Sequence, residues 1–224
     1  MTAREEVLAR IRIALGRPGG TTPPGPSGPN EAAESTGPSG YRSRDGRALP
    51  ELLDLLTDRL ADYGAAVSRV SQADLPGAAA AALRRRGARR VVLPPGLDLD
   101  LDLDLAEPPA EMEFVVDSGL SPAELDGFDA VITAAAIAIA ETGTIILDGS
   151  ADQGRRALSL IPDYHLCLVR ADQVVGLVPE ALPRLDPTHP LTWISGPSAT
   201  SDIELDRVQG VHGPRTLDVI LIQR

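Results

Sequence analysis

The chain of 224 residues contains no lysine; all 21 of its basic residues are arginine. Without a lysine there is no Schiff-base amine and no P-loop lysine, so enzymes built on either are excluded. Cysteine is nearly as scarce. Cys167 stands alone, so the chain forms no internal disulfide, builds no cysteine-rich zinc site and ligates no iron–sulfur cluster of its own. That usage predicts a cytoplasmic protein. The histidines His165, His189 and His212 are too scattered for metal-ligand spacing, and no metal or other cofactor is expected. Aromatic residues make up 3% of the chain, and acids outnumber bases by 32 to 21. The resulting net charge of −11 repels nucleic-acid phosphates and anionic membrane over most of the surface. No apolar run reaches the about 18 residues needed to span a bilayer. The opening MTAREEVLARIRIALGR is amphipathic where a signal peptide would have an apolar core. Neither nucleic acid nor membrane insertion is expected, and any anion must be captured locally.

What is present reads as three parts. Val7, Leu8, Ile11, Ala14 and Leu15 recur at helical spacing and predict an amphipathic N-terminal helix within residues 1–17. Residues 18–48, dominated by proline and glycine, read as a flexible linker. From Leu49 to Arg224 the pattern becomes regular, and 43% hydrophobic content suffices for one core. LPELLDLLTDRLADYG sets Leu49, Leu52, Leu53, Leu56, Leu60 and Tyr63 on one helical stripe that ends at Gly64. A strand AAVSRV, an alanine-rich helix closing at Gly87 with arginines at its C-terminus, and a strand RRVVLP follow. This βαβ rhythm predicts an α/β three-layer sandwich around a mostly parallel sheet, with seven or eight strands alternating with four or five helices. GLDLDLDLDLAE, residues 96–107, predicts an exposed strand or loop, because its aspartates lack the carbonyls and tight turn of a calcium loop.

Three stretches carry residues suited to chemistry. In SGPSATSDIELDRVQGVHGPR, Ser201 and Glu204 have capping-box spacing and predict a helix start after the strand LTWIS. Gly196, Ser198, Thr200, Ser201 and Asp202 then form a small-residue loop at a helix N-terminus, an arrangement that holds anions in α/β proteins, although Asp202 competes for the same dipole. After that helix, His212 and Arg215 could return to the same edge as hydrogen-bond donor and carboxylate clamp. A capped helix and a plain chain reversal remain open alternatives. In AETGT, Glu141 is a candidate nucleophile or base if apolar neighbours raise its pKa, with Thr142, Gly143 and Thr144 as candidate ligand contacts; capping its own turn is the other reading. DQGRRALSLIPDYH places Arg155 and Arg156 before a predicted helix, where they either neutralise an acidic ligand or pair with Asp148 or Asp152. Alternation in YHLCLV sets His165 and Cys167 on one strand face, with the thiol as a small buried hydrophobe.

Taken together, AETGTIILDGSADQGRRALSLIPDYH, VVGLVPEAL, and WISGPSATSDIE followed by GVHGPR resemble the LUD-domain family, and within it the lactate utilization protein C (LutC) branch. The resemblance runs from about Asp129 to the C-terminus and more weakly back to Leu49. It implies a fold related to the NagB/RpiA/CoA-transferase-like group. It also implies a cytoplasmic role in oxidising L-lactate to pyruvate, beside two iron–sulfur partner proteins that carry the cysteine clusters. On this reading the chain is a cluster-free component that binds a small anionic metabolite or its partner subunits. By fold-level analogy, CoA-transferases use a glutamate in a glycine-containing turn as acyl acceptor. The alternative is therefore a stand-alone acyl or CoA transferase, or a sugar-phosphate isomerase-like enzyme, using Glu141.

Overall fold

The computed structural model describes residues 6–10, 41–97, 112–200, 208–209 and 213–223. The chain separates into two compact units, Met1–Tyr41 and Arg42–Arg224. In the first, residues 6–10 are helical, with Arg10 reaching Glu6 one turn back at 2.6 Å; the rest of the predicted N-terminal helix lies outside the described residues. So do residues 98–107 of the leucine–aspartate run.

The first helix, α1 (Leu49–Asp62), begins where Pro50 suits a first turn and the Glu51 carboxylate accepts the Ala48 N–H at 2.8 Å. Leu52, Leu53, Leu56 and Leu60 are its buried stripe, while Leu49 and Tyr63, placed on that stripe by sequence, stay exposed at its two ends. Gly64 follows in the left-handed conformation at φ 89°. Then come β1 (Ala66–Ser71), α2 (Leu75–Arg85), β2 (Arg90–Leu93), β3 (Glu113–Val116), the one-turn α3 (Pro122–Leu125) and β4 (Ala130–Ala134). After these the chain forms β5 (Ile137–Ile139), β6 (Thr144–Leu147), β7 (Tyr164–Arg170), β8 (Val174–Val175), the short α4 (Val178–Ala181), β9 (Thr192–Ile194) and β12 (Thr216–Gln223). Between the last two, β10 (Ala199–Thr200) pairs antiparallel with β11 (Val208–Gln209).

Six strands form one wholly parallel sheet in the order β1-β12-β7-β4-β2-β3. Its central strands are near-continuous apolar runs because both faces are covered. On one face Leu75, Ala79 and Leu83 of α2 pack against Ile132, Leu166, Leu168 and Ile220. On the other, α1 and a second sheet, β8-β5-β6-β9, pack against Cys167, Val169, Val219 and Leu221. Further along that face, Leu125, Phe128 and Leu158 cover Val92 and Val131. The expected layered α/β sandwich is therefore present, with a small mostly antiparallel sheet added to one layer. Among the described residues no helix is long and apolar enough to cross a membrane.

Two sequence expectations need correction. Residues 156–163 form turns and bends where a helix containing Leu158 and Leu160 was expected; Gly154, at φ 69°, and Pro162 interrupt the regular periodicity at either end. Val208–Gln209, expected within or at the end of a capped helix, is strand. The predicted helix start at Ser201 lies outside the described residues.

Candidate functional site

In the parallel sheet β2 lies between β3 and β4, so the chain leaves β2 to one side and returns on the other. The crevice beyond the carboxyl ends at such a reversal is where open α/β sheets bind ligands. Here the carboxyl ends of β2, β3 and β6 lead to Pro95, Asp117 and Gly149, and all three line a cavity of about 500 Å³. A second cavity of about 210 Å³ lies between the Thr192–Ser198 stretch, Gly213–Pro214 and the start of β7. Arg156, Ser159 and Thr192 line both, so the two are lobes of one cleft.

The segment between β6 and β7 forms the neck. Asp148 accepts bonds from the Ser150 N–H at 3.0 Å and its hydroxyl at 2.5 Å, while the Asp148 N–H donates to Gln153 at 2.6 Å. Gly154 is required twice over. Its φ is positive, and a Cβ there would stand 2.5 Å from Leu158 Cδ1. The two arginines that follow have opposite fates. Arg155 grips the Asp117 carboxylate through Nε at 2.7 Å and Nη2 at 3.0 Å, and Asp117, 5% exposed, also accepts the Gly119 and Leu120 N–H groups. The guanidinium first, and those N–H groups, hold the Asp117 carboxyl below its usual range despite burial. Arg156 instead donates to the Ser159 hydroxyl at 3.1 Å. Its pKa is lowered because burial disfavours the charge, whereas Arg155, Arg86 and Arg215 are raised by carboxylate partners.

His165 forms the floor of the smaller lobe. It is buried, and its Nε2 shares a 2.8 Å hydrogen bond with Thr133 on the adjacent strand. Burial, with the nearby Arg156 charge second, drops its pKa to about 4, so the ring is neutral at pH 7. Cys167, on the same strand face, is pushed up to about 12 by burial and is a packed thiol rather than a nucleophile.

The structure gathers some of the sequence-derived candidates and disperses others. Gly196 and Ser198 line the smaller lobe. Gly196 has φ 86° and packs so closely on α1 that a Cβ would lie 2.6 Å from Tyr63 Cβ, while the Ser198 N–H donates to the Pro214 carbonyl at 2.8 Å. Thr142 and Thr144 reach this lobe indirectly: their hydroxyls bond each other at 2.7 Å, and Thr144 bonds Ser195 at 2.8 Å. Gly143 packs on the backbone of Arg59. Arg215 is committed to Asp163 at 2.6 Å on the surface. Thr200 is placed only as a strand residue, and Ser201, Asp202 and His212 lie outside the described residues.

Glu141 lies outside the residues that line either lobe. Arg47 binds it directly and Arg42 approaches to 3.5 Å. The Arg47 contact lowers its pKa, reversing the expected upward shift, because cationic partners outweigh desolvation on a side chain 37% exposed. Arg47 also binds Asp45, whose pKa falls to about 2 for the same reason. Sequence reasoning passed over Ser159 and Thr192, and it weighed Arg156 only as half of an arginine pair. Strand alternation did place His165, but nothing local shows which side of a sheet becomes a cleft. Among the described residues no group of three or more His, Cys, Asp or Glu is placed to hold a metal.

An α/β sandwich with a parallel sheet, a small second sheet and an arginine-bearing cleft at the strand reversal defines the class. Comparison with known proteins then gives the family. Residues 123–222 match the LUD domain, a span that includes Arg156, Ser159 and His165. The chain is 54% identical over 181 residues to the lactate utilization protein C of Deinococcus radiodurans, covering 77% of this chain and 80% of that one. It is 24% identical to the protein of that name from Oceanobacillus iheyensis, over 98% of this chain and 97% of the relative. A crystal structure of a DUF162 family protein from Deinococcus radiodurans superposes with a TM-score of 0.66 at 46% identity, covering 79% of this chain and 99% of the other. The chain belongs to the LUD-domain family.

Proposed function

We propose that this protein is the cluster-free component of an L-lactate utilization system, working beside iron–sulfur partner proteins, and that it holds a small anionic metabolite at Arg156. The observation that carries the site is the contrast between adjacent arginines. Arg155 is neutralised by Asp117, while Arg156 faces both lobes with its charge disfavoured by burial. A guanidinium at the mouth of a cleft, beside a serine hydroxyl and with no carboxylate bound to it among the described residues, is half of an ion pair, and an arriving carboxylate completes it. One charge-assisted hydrogen bond of this kind contributes about 1.5–3 kcal/mol, enough to offset the general repulsion of a chain with net charge −11.

The pathway rests on the relatives, several of which are named lactate utilization protein C. The division of labour rests on the thiols. A single buried cysteine supplies none of the cysteine set that holds an iron–sulfur cluster, so the two electrons released when L-lactate becomes pyruvate pass through partner proteins.

The test is deletion of the gene from the organism that carries it, followed by restoration as wild type or as Arg156→Gln. Growth on L-lactate is expected to fail on deletion and to return with the wild type only. Unimpaired growth of the deletion strain would overturn the pathway assignment, and full rescue by Arg156→Gln would remove the cleft from it. With purified protein, Arg156→Gln is expected to weaken anion binding by about 10- to 100-fold.

A further inference from the structure

We infer that the ligand of this cleft is a monocarboxylic acid with a neutral tail longer than the methyl group of lactate: its head lies at Arg156 in the smaller lobe and its tail in the larger one. The inference rests on the anion-binding reading above and specifies its substrate class. It follows from how differently the two lobes are lined around their shared neck.

The smaller lobe is a head-group site. Its walls carry the hydroxyl residues Ser159, Thr192, Ser195 and Ser198, with neutral His165 at the floor and Arg156 at the neck. Because Nε2 of His165 is taken by Thr133, Nδ1 is the ring nitrogen that can meet a ligand hydroxyl or carboxylate. Among the described residues the lobe carries one guanidinium with no carboxylate bound to it, which matches one negative charge. A phosphate monoester carries nearly two at neutral pH and would leave the second facing neutral hydroxyls.

The larger lobe has little to offer a charge. Among the described residues its two other ionic groups, Asp117 and Arg155, are spent on each other through two hydrogen bonds. The remaining wall is mostly apolar or bare backbone: Pro95, Leu147, Gly149, Ala151, Gly154 and Pro190. A cavity of about 500 Å³ falls within the roughly 300–1,000 Å³ of sites that enclose drug-sized ligands. Lactate bound at Arg156 leaves that lobe to water. A hydrocarbon or otherwise neutral tail displaces the water from apolar walls, and this gain grows with each methylene.

The test is a homologous series titrated calorimetrically into the full chain: L-lactate, L-2-hydroxybutyrate and L-2-hydroxyhexanoate, with inorganic phosphate as the small dianion. Kd is expected to fall about fourfold per added methylene, with phosphate weaker than the longest acid. In Pro190→Phe, which fills the larger lobe from an exposed position, the dependence on length is expected to flatten. Equal affinity along the series, with loss of binding in Arg156→Gln, would overturn the tail while leaving the anion site intact. An unchanged length dependence in Pro190→Phe, or phosphate binding tighter than every carboxylate, would overturn the inference as well. If none of the four probes binds, the anion-binding reading falls and takes the inference with it.

Discussion

In His165, burial first and a neighbouring cation second set the chemistry of the side chain. Enclosed on its strand, bonded to Thr133 and close to the Arg156 charge, the imidazole resists protonation until about pH 4. In the unfolded chain it titrates near the ordinary value of about 6.5. Between those values the unfolded state binds the extra proton, so the stability tied to this group is complete above about pH 6.5 and declines as pH falls towards 4. The expected cost is about 2 kcal/mol between pH 7 and pH 5. Urea unfolding at the two pH values measures it, and the difference should shrink in His165→Gln. The arginine-paired carboxylates of Asp117 and Asp45 are lowered as well, but from a lower ordinary value, so their contribution is lost only in more acidic solution. The two effects therefore occupy different pH windows.

At the scale of elements, one carboxylate ties the second helix to the sheet. Asp218 lies within β12, 3% exposed, and accepts Arg85 at 2.9 Å and Arg86 at 2.7 Å from the C-terminal end of α2, together with the Tyr164 hydroxyl at 3.1 Å. Burial and the neighbouring Asp218 charge raise the Tyr164 pKa, so the phenol stays a donor. Asp218→Ala strands that hydroxyl and leaves two arginines without their acid. Both arginines keep access to solvent, which lowers the cost below that of a fully buried pair. A loss of about 2–3 kcal/mol is expected, read from denaturant unfolding followed through Trp193, the only tryptophan. Most of these elements were legible locally: the leucine stripe of α1, the alanine-rich α2 and the β-branched strands each carry their own periodicity. The segment from Arg155 to Asp163 was not. Its leucines mimic helical spacing, but Leu158 is buried by packing on Val92 and Val131 from distant strands.

For the whole molecule, the boundary of the folded unit falls before Arg42. Residues 42–47, read from sequence as part of a proline- and glycine-rich linker, are joined to the domain by Arg42 and Arg47 at Glu141 and by the Asp45 N–H at Glu180. Asp45 also fills the space left by the missing side chain of Gly176. A chain beginning at Arg42 is therefore expected to unfold at the same denaturant midpoint as the full protein. One beginning at Leu49, which loses these ion pairs and the packing at Gly176, is expected to unfold at a measurably lower one. Equal midpoints for all three would show that residues 42–48 add nothing to the fold.

Composition and periodicity by themselves determined the class of fold, the lack of cluster ligands and the need for local capture of any anion, because these depend on residue counts and on spacing along the chain. Strand alternation also settled that His165 and Cys167 share a face. Only the tertiary structure decided which arginine is neutralised. Arg155 and Arg156 are neighbours in sequence, and the acid that separates their roles, Asp117, is 38 residues away from Arg155. The same holds for Glu141, whose apolar flanks suggested a raised pKa until Arg47, 94 residues distant in sequence, came to rest against it. Charge pairing and cavity shape depend on through-space distance, which a linear pattern does not encode.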